Sequence, residues 1–184
     1  KKNNPNLNIK IFHNENNKGV GFNYHATALK ASGKYYMLVN GVADLPPSSI
    51  KKILSNLGKA DLILSYFPGK NDKRTLARRF FSKIYTITLN LITFNNLKYY
   101  NGNTLHLLEN VKLYKASTFH YSYQAELIAN LMTLKKTYME IQIESIRTDG
   151  VAKIITLYNI LALGKSIIAI FLNQITYLIK KLLK

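Results

Sequence analysis

The order of short segments in the first 66 residues constrains the fold of this chain most strongly. Apolar, extended stretches alternate with stretches that have helical spacing. The extended stretches are residues 8–13, 35–39 and 61–66, and the helical ones are 22–31 and 50–57. This alternation is typical of a parallel α/β sheet, in which ligands bind at the carboxyl ends of the strands. The loop 40–44, which follows the second strand, is therefore a predicted site.

A strongly basic segment follows. Six basic residues fall within the fourteen positions from Lys70 to Lys83, and Asp72 is the only acid among them. This run predicts the start of a basic helix, which the apolar spacing continues to Leu91 as an amphipathic helix. Farther on, residues 124–134 have the pattern of another helix, and residues 138–146 that of a half-exposed strand.

Charge and residue usage limit the possible functions. The chain has 26 basic and 9 acidic residues, a formal net charge of +17, which indicates an anionic partner: nucleic acid, a phospholipid surface or a phosphorylated substrate. The absence of cysteine excludes a disulfide framework and a thiolate metal site. The four histidines, at positions 13, 25, 106 and 120, lack close metal-ligand spacing, and structural roles are predicted for them.

The tail is rich in isoleucine and leucine. Its longest uninterrupted apolar run, residues 167–172, is far shorter than the roughly 20 residues that cross a bilayer. Three lysines follow it: Lys180, Lys181 and Lys184. This pattern favours an amphipathic helix that lies in a membrane interface. We therefore expect a domain at 1–153 and a membrane-interface helical tail at 154–184.

Several short motifs carry a family resemblance in their order and spacing. They lie at 17–21, 31–35, 44–47, 60–63, 78–82, 100–102, 124–126 and 147–153. Over about residues 8–166 the chain resembles the family 2 glycosyltransferases of the GT-A fold, especially the polyprenyl-phosphate, dolichol-phosphate mannose synthase-like branch. The resemblance implies an α/β, GT-A-like mixed sheet flanked by helices, without the family's first strands and with the amphipathic helix at its C-terminus.

The resemblance also implies an activity and partners. A sugar would move from a nucleotide-sugar donor to a polyprenyl phosphate, in a protein peripheral to an anionic membrane surface on its cytoplasmic face. One alternative is a catalytically degenerate or truncated relative that acts only as a membrane-associated protein. Another is a basic nucleic-acid-binding protein, motivated by the charge of +17 and by 13 tyrosines and 8 phenylalanines. No nucleic-acid-binding motif supports that alternative, so no nucleic-acid partner is expected.

The family's metal motif is incomplete in this sequence. An acidic pair usually follows the strand that matches 35–39, and it holds Mg²⁺ or Mn²⁺ against the donor diphosphate. Here the loop is Asn-Gly-Val-Ala-Asp, with Val42 at the expected position of the first acid. The resemblance leaves Asp44 and Asn40 as metal ligands. The alternative for Asp44 is an ordinary acid ahead of a helix.

The resemblance assigns further roles to basic and acidic side chains. Glu126 matches the acid near the acceptor, and its alternative is a solvated first-turn glutamate. Arg147 and Lys153 match the late basic motif that reaches the donor diphosphate, with a solvated loop as the alternative. The acceptor phosphate would be bound by three residues of the basic run, whose alternative is a solvated helix face: Arg78, Arg79 and Ser82.

Overall fold

The computed structural model describes residues 8–41, 45–68, 72, 74–114, 117, 122–144, 146 and 157–183. Within this part of the chain, six helices and four strands follow one another. In chain order they are α1 (Val20–Lys30), β1 (Tyr35–Met37), α2 (Pro47–Leu54), β2 (Leu62–Tyr66), α3 (Leu76–Thr93), β3 (Leu105–Leu107), α4 (Leu108–Leu113), α5 (Tyr123–Thr133), β4 (Tyr138–Gln142) and α6 (Leu157–Leu182).

The four strands form one mixed sheet in the order β1-β3-β2-β4. β2 and β4 are parallel, whereas β3 runs antiparallel to both β1 and β2. The predicted mixed α/β sheet flanked by helices is confirmed. β1 and β2 share one direction, as expected for the first 66 residues, but the expected parallel sheet is wrong, because β3 inserts between them in the opposite direction.

The strand predicted at residues 8–13 is also wrong. These residues belong to no strand, and Ile11 is 89% exposed, so this segment buries little of its apolar pattern. A period-two pattern becomes a strand only where a neighbouring strand and a core are available to it.

Two apolar clusters cover the two faces of the sheet, and β2 contributes to both. Leu62 and Leu64 belong to the cluster that includes side chains of α1, α3, α5 and α6. Ile63 belongs to the other cluster, with Ile53 of α2 and Ile141 of β4. Successive side chains of a strand point to opposite faces. A continuous apolar strand such as β2 can therefore serve as the centre of a sheet that is covered on both sides.

Local signals define the bounds of α3. The Oγ1 atom of Thr75 accepts a hydrogen bond from the backbone N–H of Arg78 at 3.4 Å, so the helix begins at Leu76. The basic, amphipathic helix predicted from the run 70–83 and the spacing to Leu91 is confirmed, with its first helical residue at Leu76. The helix ends at Phe94, whose φ of 53° is left-handed and whose N–H bonds to the carbonyl of Asn90.

The 26-residue helix α6 packs against α3 and α5. Its buried side chains recur every four residues: Ser166, Ile170 and Gln174. The 22-residue stretch Leu161–Leu182 has the length and apolar composition to cross a membrane. The predicted interfacial position of this tail helix stays a prediction. The predicted domain boundary at 153/154 lies outside the described residues and stays a prediction.

Candidate functional site

The strand directions bring several loops to one edge of the sheet. β1, β2 and β4 share one direction, so their carboxyl ends lie at the same edge as the amino end of antiparallel β3. Asn103, just before β3, donates a hydrogen bond from Nδ2 to the carbonyl of Leu38, just after β1, at 3.4 Å. The Oγ atom of Ser65 in β2 donates to the carbonyl of Asn103 at 2.8 Å. This is the edge at which the sequence analysis expected a site.

At this edge of the sheet, the backbone of Gly102 lies very close to the backbone of Ser65. A Cβ atom at Gly102 would lie 1.8 Å from the carbonyl oxygen of Ser65, so this position accepts only glycine. The side-chain amide of Gln124, in the first turn of α5, donates to the carbonyl of Gly102 and to Oγ1 of Thr104, the latter at 2.7 Å. Two motifs that the sequence analysis identified separately, at 100–102 and 124–126, therefore lie together.

Arg74 is the centre of a charged cluster that follows β2. Its Nη2 and Nε atoms lie 2.6 and 2.8 Å from the two carboxylate oxygens of Asp72, an ideal bidentate geometry. Its Nη1 donates to the hydroxyl of Tyr99 at 3.0 Å, and the guanidinium lies 5.0 Å from the centre of the Tyr99 ring and 5.9 Å from that of Phe67. The Asp72 and Arg74 side chains are only 7% and 18% exposed.

The same cluster holds two of the three predicted acceptor-phosphate residues. Nε of Arg79 lies 3.8 Å from Oδ2 of Asp72, and Oγ of Ser82 accepts from Nη1 of Arg74 at 3.4 Å. The third, Arg78, is half-buried on the first turn of α3. Two guanidinium groups thus meet one carboxylate, which leaves an excess of positive charge. Such a concentration of arginines suits a phosphate.

Electrostatics at Asp72 follow from these contacts. Partial burial raises its pKa, but the hydrogen bonds and positive charge of Arg74, together with the charge of Arg79, outweigh that effect, and the pKa is lowered overall. The carboxylate therefore stays ionised at neutral pH and holds both arginines in place.

The predicted donor and metal residues are placed only in part. Asn40 is half-buried and lies three residues beyond the end of β1. Asp44, Arg147 and Lys153 lie outside the described residues. Within the described part of the chain, no group of three or more histidine, aspartate or glutamate side chains could hold a metal ion. One amide oxygen and one carboxylate would suit Mg²⁺, which commonly keeps most of its ligands as water and phosphate oxygens.

Glu126 is 1% exposed in the first turn of α5, so the alternative of a solvated glutamate is wrong. Its carboxylate accepts from the backbone N–H of Ser117 at 2.7 Å and from the Ser117 hydroxyl at 2.9 Å. Burial, followed by the charge of Glu126, raises the pKa of Tyr114 to about 12. Glu126 also lines a small pocket at the α5–α6 junction with Asn130, Ile170 and Asn173. Its catalytic role stays a prediction.

The sequence patterns did not predict that Asp72, Arg74 and Tyr99 form one hydrogen-bonded cluster. The available signal was Asp72 itself, because a single acid within a long basic run is a natural partner for the arginines beside it. Tyr99 carried no such signal, since its contact with Arg74 joins positions 25 residues apart.

No family model and no curated protein matches this chain. Solved structures of glucosyl-3-phosphoglycerate synthase from Mycobacterium tuberculosis do match. The complex with Mn²⁺, UDP and phosphoglyceric acid has a TM-score of 0.58 and 14% identity, covering 85% of this chain and 54% of that one. The complex with phosphoglyceric acid gives 0.57 and 13%, and that with Mg²⁺ and UDP gives 0.56 and 14%, each covering 90% of this chain and 56% of that one.

The chain therefore spans about half the length of that synthase, 54–56%. At 13–14% identity the likeness establishes the fold. This protein has a GT-A-like mixed α/β fold flanked by helices, which it shares with about half of that synthase.

Proposed function

We propose that this protein transfers a sugar from a nucleotide-sugar donor to a phosphate-bearing acceptor, and that the acceptor is a polyprenyl phosphate at the cytoplasmic face of a membrane. The observation that carries the proposal is the cluster of Arg74, Arg79 and Ser82 around Asp72 at the carboxyl edge of β2. The synthase that shares this fold has been crystallised with Mn²⁺, UDP-glucose and phosphoglyceric acid, which is itself a phosphorylated acceptor.

The reaction needs little help from a base. A phosphate oxygen of the acceptor attacks the anomeric carbon of the sugar and forms the new C–O bond. The bond from that carbon to the diphosphate oxygen breaks, and the nucleoside diphosphate leaves with the electron pair. Because the attacking phosphate is already anionic, Glu126 would orient the acceptor rather than remove a proton from it.

Different residues of the chain would bind the acceptor phosphate, the donor diphosphate and the metal ion. Arg78, Arg79 and Ser82 would bind the acceptor phosphate, and Asp72 would hold Arg79 in place for this contact. Arg147 and Lys153 would bind the donor diphosphate. Asp44 and Asn40 would hold Mg²⁺ or Mn²⁺, which would offset charge on the leaving group when bound.

Donor binding is tested first, by isothermal titration of UDP, GDP and their sugar conjugates into the folded chain with and without Mn²⁺. We expect metal-dependent binding of one nucleotide. If none of them binds to a chain shown to be folded by circular dichroism, the proposal is overturned.

Acceptor choice is tested next, by offering the labelled nucleotide sugar to polyprenyl phosphate and to 3-phosphoglycerate side by side. We expect label on the lipid. The Arg79→Gln variant should transfer at least about tenfold more slowly with nucleotide binding retained, because it removes a charge-assisted phosphate contact. Lys52→Gln, which removes an exposed basic charge on α2, is the matched control and should transfer normally. Label on phosphoglycerate alone would contradict the lipid acceptor.

A second candidate is a catalytically degenerate relative that acts only through membrane association. Val42, at the expected position of an acid, is the observation that favours it. A Val42→Asp variant that gains Mn²⁺ affinity, where the parent chain has none, would indicate a surviving site that has lost one ligand.

A further inference from the structure

Two neighbouring helices expose rows of large apolar side chains. On α3 the row follows helical spacing and ranges from 46% to 80% exposed: Leu76, Phe80, Ile84, Ile87, Leu91 and Phe94. On α6 the row also has helical spacing and ranges from 36% to 86% exposed: Ile168, Phe171, Leu172, Ile175, Leu178, Ile179 and Leu182. We call these two rows together the α3–α6 surface.

Both rows lie on the same side of the sheet. α3 contributes Leu89 and α6 contributes Ile170 to one core cluster, so the outer faces of the two helices point away from that shared core. The helices are also in direct contact, since the hydroxyl of Tyr85 lies 3.4 Å from Oγ of Ser166. The result is an exposed apolar area carried by two adjacent helices, of a kind that marks an interaction site.

The charges on α3 and α6 indicate which kind of partner binds the α3–α6 surface. Neither α3 nor α6 contains an aspartate or a glutamate. Exposed lysines lie on both, at Lys83, Lys165, Lys180 and Lys181. A second copy of a chain with net charge +17 would bring the same positive charges against these lysines. An anionic bilayer supplies both an apolar interior for the two rows and negative charge for the lysines.

The inner face of α6 decides between lying on the bilayer and crossing it. Ser166 contacts Tyr85 of α3, and Oγ1 of Thr133 in α5 donates to Oε1 of Gln174 at 2.6 Å. A helix that crossed the bilayer alone would lose both contacts and expose these polar groups to lipid, where unsatisfied groups are costly.

Phe94 adds an independent indication. It is 80% exposed and has a φ of 53°, a conformation that a bulky aromatic residue rarely adopts. Glycine would fit this helix end better. An exposed phenylalanine at such a position adds apolar contact to the end of the α3 row.

We propose that the α3–α6 surface docks on an anionic lipid bilayer, with α3 and α6 both lying along the interface. This deepens the membrane part of the proposed function and rests on it. Docking in this orientation also brings the first turns of α3, which carry Arg79 and Ser82, to the level of the lipid head groups, where the phosphate of a lipid acceptor lies.

Co-sedimentation of the full chain with vesicles tests the proposal. The vesicles contain phosphatidylcholine alone or with phosphatidylglycerol, at low and high salt. We expect binding that requires phosphatidylglycerol and weakens with salt. The double variant Leu76→Gln/Leu91→Gln, at residues 79% and 71% exposed, should bind at least about tenfold more weakly because it removes apolar area from α3.

The matched control is Leu29→Gln/Leu113→Gln, which alters exposed leucines of α1 and α4 that are 55% and 74% exposed. It should bind within about twofold of the parent chain, because these residues lie outside the α3–α6 surface. Circular dichroism checks that both double variants are folded.

Three results would overturn the proposal. One is equal vesicle binding by the two double variants, and another is binding that survives alkaline carbonate extraction, which would mean that α6 crosses the bilayer. The third is a dimer in sedimentation velocity without vesicles that the Leu76→Gln/Leu91→Gln variant abolishes, which would assign the surface to a second copy. Since the vesicle assay contains no nucleotide or acceptor, its failure is distinct from failure of the transfer assay.

Discussion

The two sides of α3 behave as different surfaces although they share one helix. Leu89 is fully buried against the core, whereas Leu91, two residues later, is 71% exposed. The inner side carries Tyr85, Thr86 and Leu89, and the outer side carries the apolar row of the α3–α6 surface. Hydrophobic residues of one helix thus divide into those buried in the core and those that face solvent. Exposure, not residue type, separates them.

Leu89→Ala should give the largest effect among tests of this contrast. It leaves a cavity in the core beside β2, and we expect the free energy of unfolding to fall by about 2–5 kcal/mol. Urea denaturation measures it. A loss below about 1 kcal/mol would mean that the inner side of α3 contributes little to the fold.

Asp72→Asn tests the charged contacts that join the start of α3 to the sheet edge. It removes the carboxylate that pairs with Arg74 and Arg79, and we expect a loss of about 2 kcal/mol at pH 7. Glu15→Gln, at an exposed acid, is the control and should change stability by less than about 0.5 kcal/mol.

This effect should depend on pH in a defined direction. The pKa of Asp72 is lowered in the folded protein, so its stabilisation is present above the usual aspartate pKa of about 3.9 and is lost as pH falls through the folded value. The parent chain and Asp72→Asn should therefore converge in stability on acidification. A constant difference down to pH 2 would exclude ionisation of Asp72 as the cause.

Phe94→Gly should act in the opposite direction. Glycine adopts the left-handed conformation of this position without steric cost, so the free energy of unfolding should rise by about 0.5–1 kcal/mol. Thermal denaturation measures the gain. The same variant should bind anionic vesicles more weakly, because it removes an exposed apolar side chain from the α3–α6 surface. If both stability and vesicle binding increased, Phe94 would not contribute to docking.

Leu91→Ala should give the smallest change in stability, within about 0.5 kcal/mol, since its side chain already faces solvent. Comparison with Leu89→Ala in the same urea series tests the contrast directly. Similar losses for the two leucines would show that the outer side of α3 also supports the fold.

Local patterns predicted most of the helices and the central strand. The segments 22–31, 50–57 and 124–134 were predicted as helices and became α1, α2 and α5 with bounds shifted by one to three residues. The run at 61–66 became β2. In each case the signal is local, a periodic spacing with glycine, proline or serine near an end.

Pairing between distant segments could not be predicted in this way. β3 is only three residues long and joins directly to α4, so it lacks a periodic signal, yet it separates β1 from β2. The inward position of Gln174 could not be predicted for the same reason: it interrupts the apolar pattern in sequence, but its side chain accepts a hydrogen bond from Thr133 of α5.

The candidate site shows the same limit. The family resemblance predicted that Arg78, Arg79 and Ser82 act together, and they lie within two turns of one helix. The contacts of Arg79 with Asp72, and of Arg74 with Ser82 and Tyr99, depend on tertiary packing. The sequence offers no periodicity for such a contact.

The two polar contacts of α6 also determine where this helix sits along its own axis. Apolar packing has little directional preference, and a helix rich in isoleucine and leucine could otherwise slide past its neighbours. Ser166 and Gln174 are two turns apart and meet hydroxyls on different helices, Tyr85 on α3 and Thr133 on α5. A shift by one turn, about 5.4 Å, would break both contacts together. These two contacts together therefore fix one position of α6 along its axis.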